Sequence, residues 1–234
     1  MRYSSIKIAL ACLLLASCTS KEKEYRSVAV TIMIDNTEES SDRSHIITKE
    51  GIWGTMRGND SDVYGVINFT YITDVSLNEQ NSVTLSKPQA KANGLQIKSL
   101  KKKFLTALDI PHKKYLGPCS NTAQSSIYRP VCNAIKQLAL QKSDRKVLIV
   151  LSDMVENSAT ANFYHPPMKK GVIDIEATIA KMEQALVLPD NPGIEVIIVF
   201  QPTSTSNVQF EQAITIWSEL FARHGISYQV KANL

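Results

Sequence analysis

Short, nearly unbroken apolar runs alternate along this chain with longer stretches of helical periodicity. Residues 28–34 (VAVTIMI), 147–151 (VLIVL) and 194–200 (IEVIIVF) are runs of the first kind, each bounded by polar residues. A strand with one wet face alternates apolar with polar positions. A continuous run this short instead fits the middle of a parallel sheet covered on both faces. Between the runs, apolar residues recur at steps of three and four. Ile97, Leu100, Phe104 and Leu108 predict a helix over 95–108, and Ile127, Val131, Ile135 and Leu138 one over 125–140. Ile175, Ile179, Met182 and Leu186 mark a third helix, and Phe210, Ile214, Trp217 and Phe221 a fourth, ended by Gly225 before a short strand at 226–230. Residues 64–75 and 82–85, rich in β-branched and aromatic side chains about a polar turn at 78–81, predict a hairpin. The polar stretch 38–62 predicts a loop with a helical turn or two, and 111–124 and 157–170 predict loops. Strands alternating with helices predict one three-layer α/β domain over 27–234, with a mostly parallel central sheet and the hairpin as its antiparallel edge.

The first twenty residues, MRYSSIKIALACLLLASCTS, place Arg2 and Lys7 before an apolar core too short to span a bilayer, the pattern of an export signal. Their end, Leu15-Ala16-Ser17-Cys18, resembles the bacterial lipobox. That resemblance implies that 1–17 is a signal peptide, that Cys18 is the lipidated N-terminus and that 18–26 is a polar tether. The protein would then sit in the cell envelope, held to a membrane by its acyl chains and facing the periplasm or the cell exterior. An ordinary signal peptide cleaved elsewhere is the alternative.

The formal charge of +4 includes Arg2 and Lys7, so the exported chain is closer to neutral and offers no electrostatic case for nucleic acid. Lys98, Lys101, Lys102 and Lys103 fall on the outer faces of a predicted helix and read as a solvated surface, with an anionic lipid or partner contact as the alternative. Of four cysteines, Cys12 leaves with the signal and Cys18 takes lipid. Cys119 and Cys132 remain, and in an exported protein such a pair reads as a disulfide worth about 2 to 4 kcal/mol. Two buried thiols are the other reading, and a metal pair lacks partners at zinc-like spacing.

Two of the buried runs end in acids, Asp35 and Asp153. In open α/β sheets the ligand crevice lies at the carboxyl ends of the strands, so these acids are expected to share a rim. The bland reading is that both carboxylates merely accept loop N–H groups. The segments VAVTIMIDNT, SSIYRPVCNAIKQL and KVLIVLSDMVEN, taken in order, resemble the von Willebrand factor A domain. The resemblance implies a metal-ion-dependent adhesion site holding Mg²⁺, with Asp35 and Thr37 in the first loop, Ser125 in the second and Asp153 in the third. Glu39 stands where that family has a second serine, and Ser125-Ser126 replaces its Thr-Asp. An extra carboxylate would either hold the ion harder and fill its open position, or leave the loop unable to bind.

Three functions follow. The first is a non-catalytic module engaging an unidentified protein partner. The second is a metal-assisted phosphoesterase using Asp35 and Asp153, since Asp-Asn-Thr resembles the nucleophile loop of haloacid-dehalogenase-type phosphatases apart from Thr37 in place of their second acid. The third is a structural subunit of a secretion or conjugation apparatus. No Gly-x-Ser-x-Gly elbow, P-loop or dinucleotide glycine pattern occurs. His45, His112, His165 and His224 are scattered and read as surface or loop residues.

Overall fold

Strand β1 (Arg26–Asp35) forms the axis of the structure, a computed structural model that describes residues 24–36, 42–60, 62–73, 79–118, 126–201 and 207–234. It lies between β2 (Val63–Ile72) and β4 (Arg145–Leu151), parallel to both. Strand β3 (Asn81–Leu85) adds antiparallel to β2, while β7 (Ile194–Val199) and β8 (Ser227–Lys231) extend the sheet in parallel beyond β4. The order β3-β2-β1-β4-β7-β8 is the mostly parallel sheet with an antiparallel edge that the pattern predicts. A separate two-stranded ribbon, β5 (Met168–Lys169) with β6 (Val172–Ile173), interrupts the stretch predicted as loop.

Alternate residues of the apolar runs enter different cores. Val28, Val30, Ile32 and Ile34 of β1, with Val147, Ile149 and Leu151 of β4, pack under α1 (Lys49–Arg57), α2 (Gly94–Ala107) and α3 (Asp109–Leu116). Ala29 and Met33, with Leu148 and Val150, pack under α4 (Tyr128–Ala139), α5 (Ile175–Ala185) and α6 (Asn207–Arg223). Both faces of these strands are dry, which is why the sequence shows no alternation. Among the described residues no helix is long and apolar enough to cross a membrane.

Two helices lie in predicted loops. Helix α1 begins where the Thr48 hydroxyl accepts from the Gly51 N–H at 3.0 Å, and it buries Ile52 and Met56 one turn apart. Its glycines and short apolar stripe hide it from a periodicity reading. Helix α3 carries Pro111 in its first turn, where a missing N–H is tolerated, and buries Tyr115 and Leu116. His224 is a loop residue, as expected, in the turn after α6, and it is buried. Its Nδ1 lies 2.7 Å from Asp190 Oδ1 and its Nε2 2.9 Å from Glu183 Oε1, tying the end of α6 to α5 and to the loop after it.

Close approach between β1 and β2 is made possible by Gly65, at φ +149°, where a Cβ would stand 1.8 Å from the carbonyl oxygen of Val28. Gly65→Ala must therefore strain the backbone and push apart the two longest strands of the sheet. The expected outcome is a loss of about 3 kcal/mol or more in urea-unfolding free energy; a change below about 0.5 kcal/mol would contradict the pairing.

Candidate functional site

The pairing of Ile34 with Leu151 brings the carboxyl ends of β1 and β4 to the same rim. Asp35 is buried there, and Ser152 Oγ donates to its Oδ2 at 2.8 Å. The same hydroxyl accepts from the Met154 N–H at 2.9 Å, so one serine locks the acid of β1 to the loop leaving β4. Asp153 is half-buried, and its Oδ1 accepts from the Val155 N–H at 2.9 Å. Arg43 closes the other side by donating to the Asp35 carbonyl oxygen, while its own N–H reaches the Leu116 carbonyl at 2.7 Å. The two acids thus share a rim as expected; Asp153 accepts a local loop N–H, whereas Asp35 accepts a hydroxyl from the neighbouring strand's loop.

The loop after β4 is held from below. Met154 adopts φ +60°, rare for a side chain of its size, and its carbonyl accepts from Trp217 Nε1 at 2.9 Å in the core. Glu156 is fully buried. Its Oε2 accepts from the N–H groups of Ile127 and Tyr128 at 2.6 and 2.7 Å, and Ser158 Oγ donates to its Oε1. Helix α4 has no side-chain cap from its own N-cap residue, so a carboxylate from across the rim satisfies its first donors and meets the positive end of its dipole. Sequence reasoning missed Glu156 because cap and helix are far apart in the chain. The available signal was a second acid in the short loop SDMVENS, directly after the apolar pair Met154-Val155.

Of the residues expected to hold magnesium, Asp35 and Asp153 lie at strand ends on the same rim, whereas Thr37, Glu39 and Ser125 lie outside the described residues, as does the lipidation residue Cys18. Among the described residues no group of three or more His, Cys, Asp or Glu side chains is arranged to hold a metal ion. Two carboxylates with one adjacent hydroxyl are part of such a donor set and do not complete one. Cys132 is a free, buried thiol on the inner side of α4, and its expected disulfide partner Cys119 lies outside the described residues.

No family model matches the chain, and no curated protein matches it either. Solved structures to which it is similar include the PilB minor pilin from Streptococcus sanguinis and a point mutant of it. Each shares 11% identity over 92% of this chain and 59% of the pilin, at TM-scores of 0.44 and 0.47 respectively. The pilus adhesin SpaC from Lactobacillus rhamnosus GG is similar at 11% identity over 91% of this chain and 29% of the adhesin, with a TM-score of 0.36. The chain spans about three fifths of the pilin's length, and at these scores the likeness carries no argument about its role. The expected membership of the von Willebrand factor A family is corrected by these findings: no such family model matches, and the similar structures are a minor pilin and a pilus adhesin. The strand-end acids are shared by many open α/β sheets, which is why three short segments pointed to one family.

Removing the buried carboxylate strands two N–H groups without access to water. Glu156→Ala is expected to lower the unfolding free energy by about 2 to 4 kcal/mol and Glu156→Gln by about half as much, read by urea denaturation. A loss of less than about 0.5 kcal/mol in both variants would remove the capping role. Burial pushes the Cys132 thiol up to about 12, and desolvation also raises the Tyr128 hydroxyl beside it. The folded thiol keeps its proton where the unfolded one has lost it, so its stabilising contribution is complete below about pH 9 and falls away as pH rises toward about 12, by up to 1.4 kcal/mol per pH unit. Unfolding free energies measured across that window should decline, and less steeply in Cys132→Ala; an unchanged slope in the variant counts against this placement of the thiol.

Proposed function

We propose that this chain is a lipid-anchored cell-envelope protein whose strand-end rim engages a protein partner without catalysis. The observation that carries this reading is the construction of the rim. Asp153 stands half-exposed on a loop fixed by Trp217, Glu156 and the Ser152–Asp35 hydrogen bond. A carboxylate presented on a rigid loop loses little conformational entropy when a partner engages it. Asp35, in contrast, is buried and accepts from Ser152, an arrangement that suits a structural lock better than an attacking nucleophile. This supports binding over the phosphoesterase. A magnesium ion, as expected from the sequence, would take carboxylates from Asp35, Asp153 and Glu39 and hydroxyls from Thr37 and Ser125. Anchoring through Cys18 belongs to the same proposal.

Site-specific photo-crosslinking from the exposed Asn157 in whole cells tests it. A discrete crosslinked partner is expected with the parent chain, reduced at least about tenfold by Asp153→Ala. In the same cells, Cys18→Ser should move the protein out of the membrane fraction. Survival of the crosslink after chelation assigns the role to a metal-independent structural subunit, and its loss assigns it to a metal-assisted site. The same crosslink yield with Asp153→Ala would sink the rim as the binding surface.

A further inference from the structure

Beside α1 lies a polar cavity of about 690 Å³, whose floor holds the first residues of β1 and β4 and therefore reaches the end of the sheet opposite the rim. Helices α1, α2 and α3 pack over β1, β2 and β3 and share their core with Ile197 and Val199 of β7, which leaves a gap on this side toward β8, where Gln229 and Lys231 line the cavity. The cavity fills that gap, walled by α1, floored by the sheet and closed by the segment after β8, where Leu234 accepts from the Thr48 N–H at 2.9 Å.

Its charge is one-sided. Arg26, Arg57, Arg145 and Lys231 face it against Asp60 and Glu195. Arg145 donates to Glu195 Oε2 at 2.7 Å and to the Thr55 carbonyl, and Arg26 pairs with Asp60 at 3.3 Å, so both carboxylates are engaged. Arg57 and Lys231 are left without a side-chain partner among the described residues, in a volume within the range of small-molecule sites. A second feature is independent of charge. Gly54 sits in the interior of α1 and faces the cavity, and a Cβ built there meets nothing within 4 Å. Glycine weakens a helix interior relative to alanine, and no contact in the folded chain requires it at this position. Its neighbour Gly51 differs, because a Cβ there would overlap the backbone of Leu234 at 1.9 Å.

We infer that this cavity binds a small polar anion carrying at least two negative charges on carboxylate or phosphate oxygens, held by Arg57 and Lys231 over the fixed Arg145 guanidinium, with Gly54 keeping the space open. Arginine suits such oxyanions because its donors form a planar fork, and lysine adds a point charge.

The test is calorimetric titration of the full chain with citrate and, separately, inorganic phosphate. A Kd of about 1 mM or tighter is expected for at least one probe, and the preferred probe tells carboxylate from phosphate recognition. Gly54→Leu should abolish binding while leaving the circular dichroism and melting temperature of the unliganded chain at or above those of the parent. Arg57→Ser with Lys231→Ser should weaken binding about tenfold or more. Binding of neither probe, or equal affinity in the parent and in a folded Gly54→Leu chain, overturns the inference. If Gly54→Leu fails to fold, Gly54→Ala and the Arg57/Lys231 double variant decide it, since equal affinity in the double variant also overturns the inference.

Discussion

The in-register parallel pairing of β1 with β4 is the constraint on which the remaining structure rests. Every residue of β1 from Val28 to Ile34 is opposed by one of β4, and alternate side chains are taken up by two separate cores. A slip of one residue would exchange the two sets, sending Val30 and Ile32 against α4 and Ala29 and Met33 against α1, with large and small side chains in the wrong halves. The pairing is also pinned at both ends by the same device. At the amino end Ser27 donates through its N–H and its hydroxyl to Asp144 Oδ2, each at 2.7 Å, and at the carboxyl end Ser152 donates to Asp35 at 2.8 Å. Each strand lends one serine and one aspartate, on opposite ends, so the polar groups fix a register that apolar packing alone would enforce less sharply.

The two ends differ in what surrounds the pin. Asp144 is exposed, and hydrogen bonds from Ser27 hold its carboxyl below the usual range. Such a pair at the surface is screened and contributes little beyond geometry. Asp35 is buried, so its bond to Ser152 stands in for lost hydration. Glu156 carries the same logic further, as a buried carboxylate tolerated because backbone donors from the start of α4 replace water around it. The rim is therefore a polar layer laid over a dry core, and Asp153 is among its members that reach solvent.

Much of this was legible in the residues. The unbroken runs at 28–34, 147–151 and 194–200 carry their own signature of double burial, and the meeting of Asp35 with Asp153 follows from where those runs stop. What escaped depends on partners distant in the chain. Helix α1 is stabilised by Thr48 at its start and by the packing of Ile52 and Met56 on the sheet, while its glycines argue against a helix locally. Tertiary contact outweighs propensity there. Glu156 caps a helix that begins far upstream, and His224 is buried because two acids from other elements surround it. Family resemblance failed for a related reason: it rested on three short segments and two strand-end acids, which describe a local pattern and do not by themselves mark a lineage.

The uneven distribution of helices gives the molecule two unlike ends. Helices α4, α5 and α6 cover one face out to β8, with the Phe221 ring tilted against Tyr228 at 5.8 Å between centroids, whereas the core under the helices of the other face reaches β4 and β7 and leaves β8 to the cavity. A sheet face left without a helix must either expose apolar side chains or carry polar ones. Here Ile197 and Val199 of β7 are buried in the core of that side, Glu195, Gln229 and Lys231 line the cavity beyond them, and Arg145, Glu195 and Gln229 form a hydrogen-bonded row across three strands. Such a row needs no helix above it. The chain after β8 crosses to the start of α1 instead, with the Leu234 N–H donating to Ile46 at 2.8 Å, so the gap is roofed only at one end and stays open to solvent at the other. Polar side chains, glycine and absent cover coincide at one place, and a single cause, access for a hydrophilic ligand, accounts for all of them together.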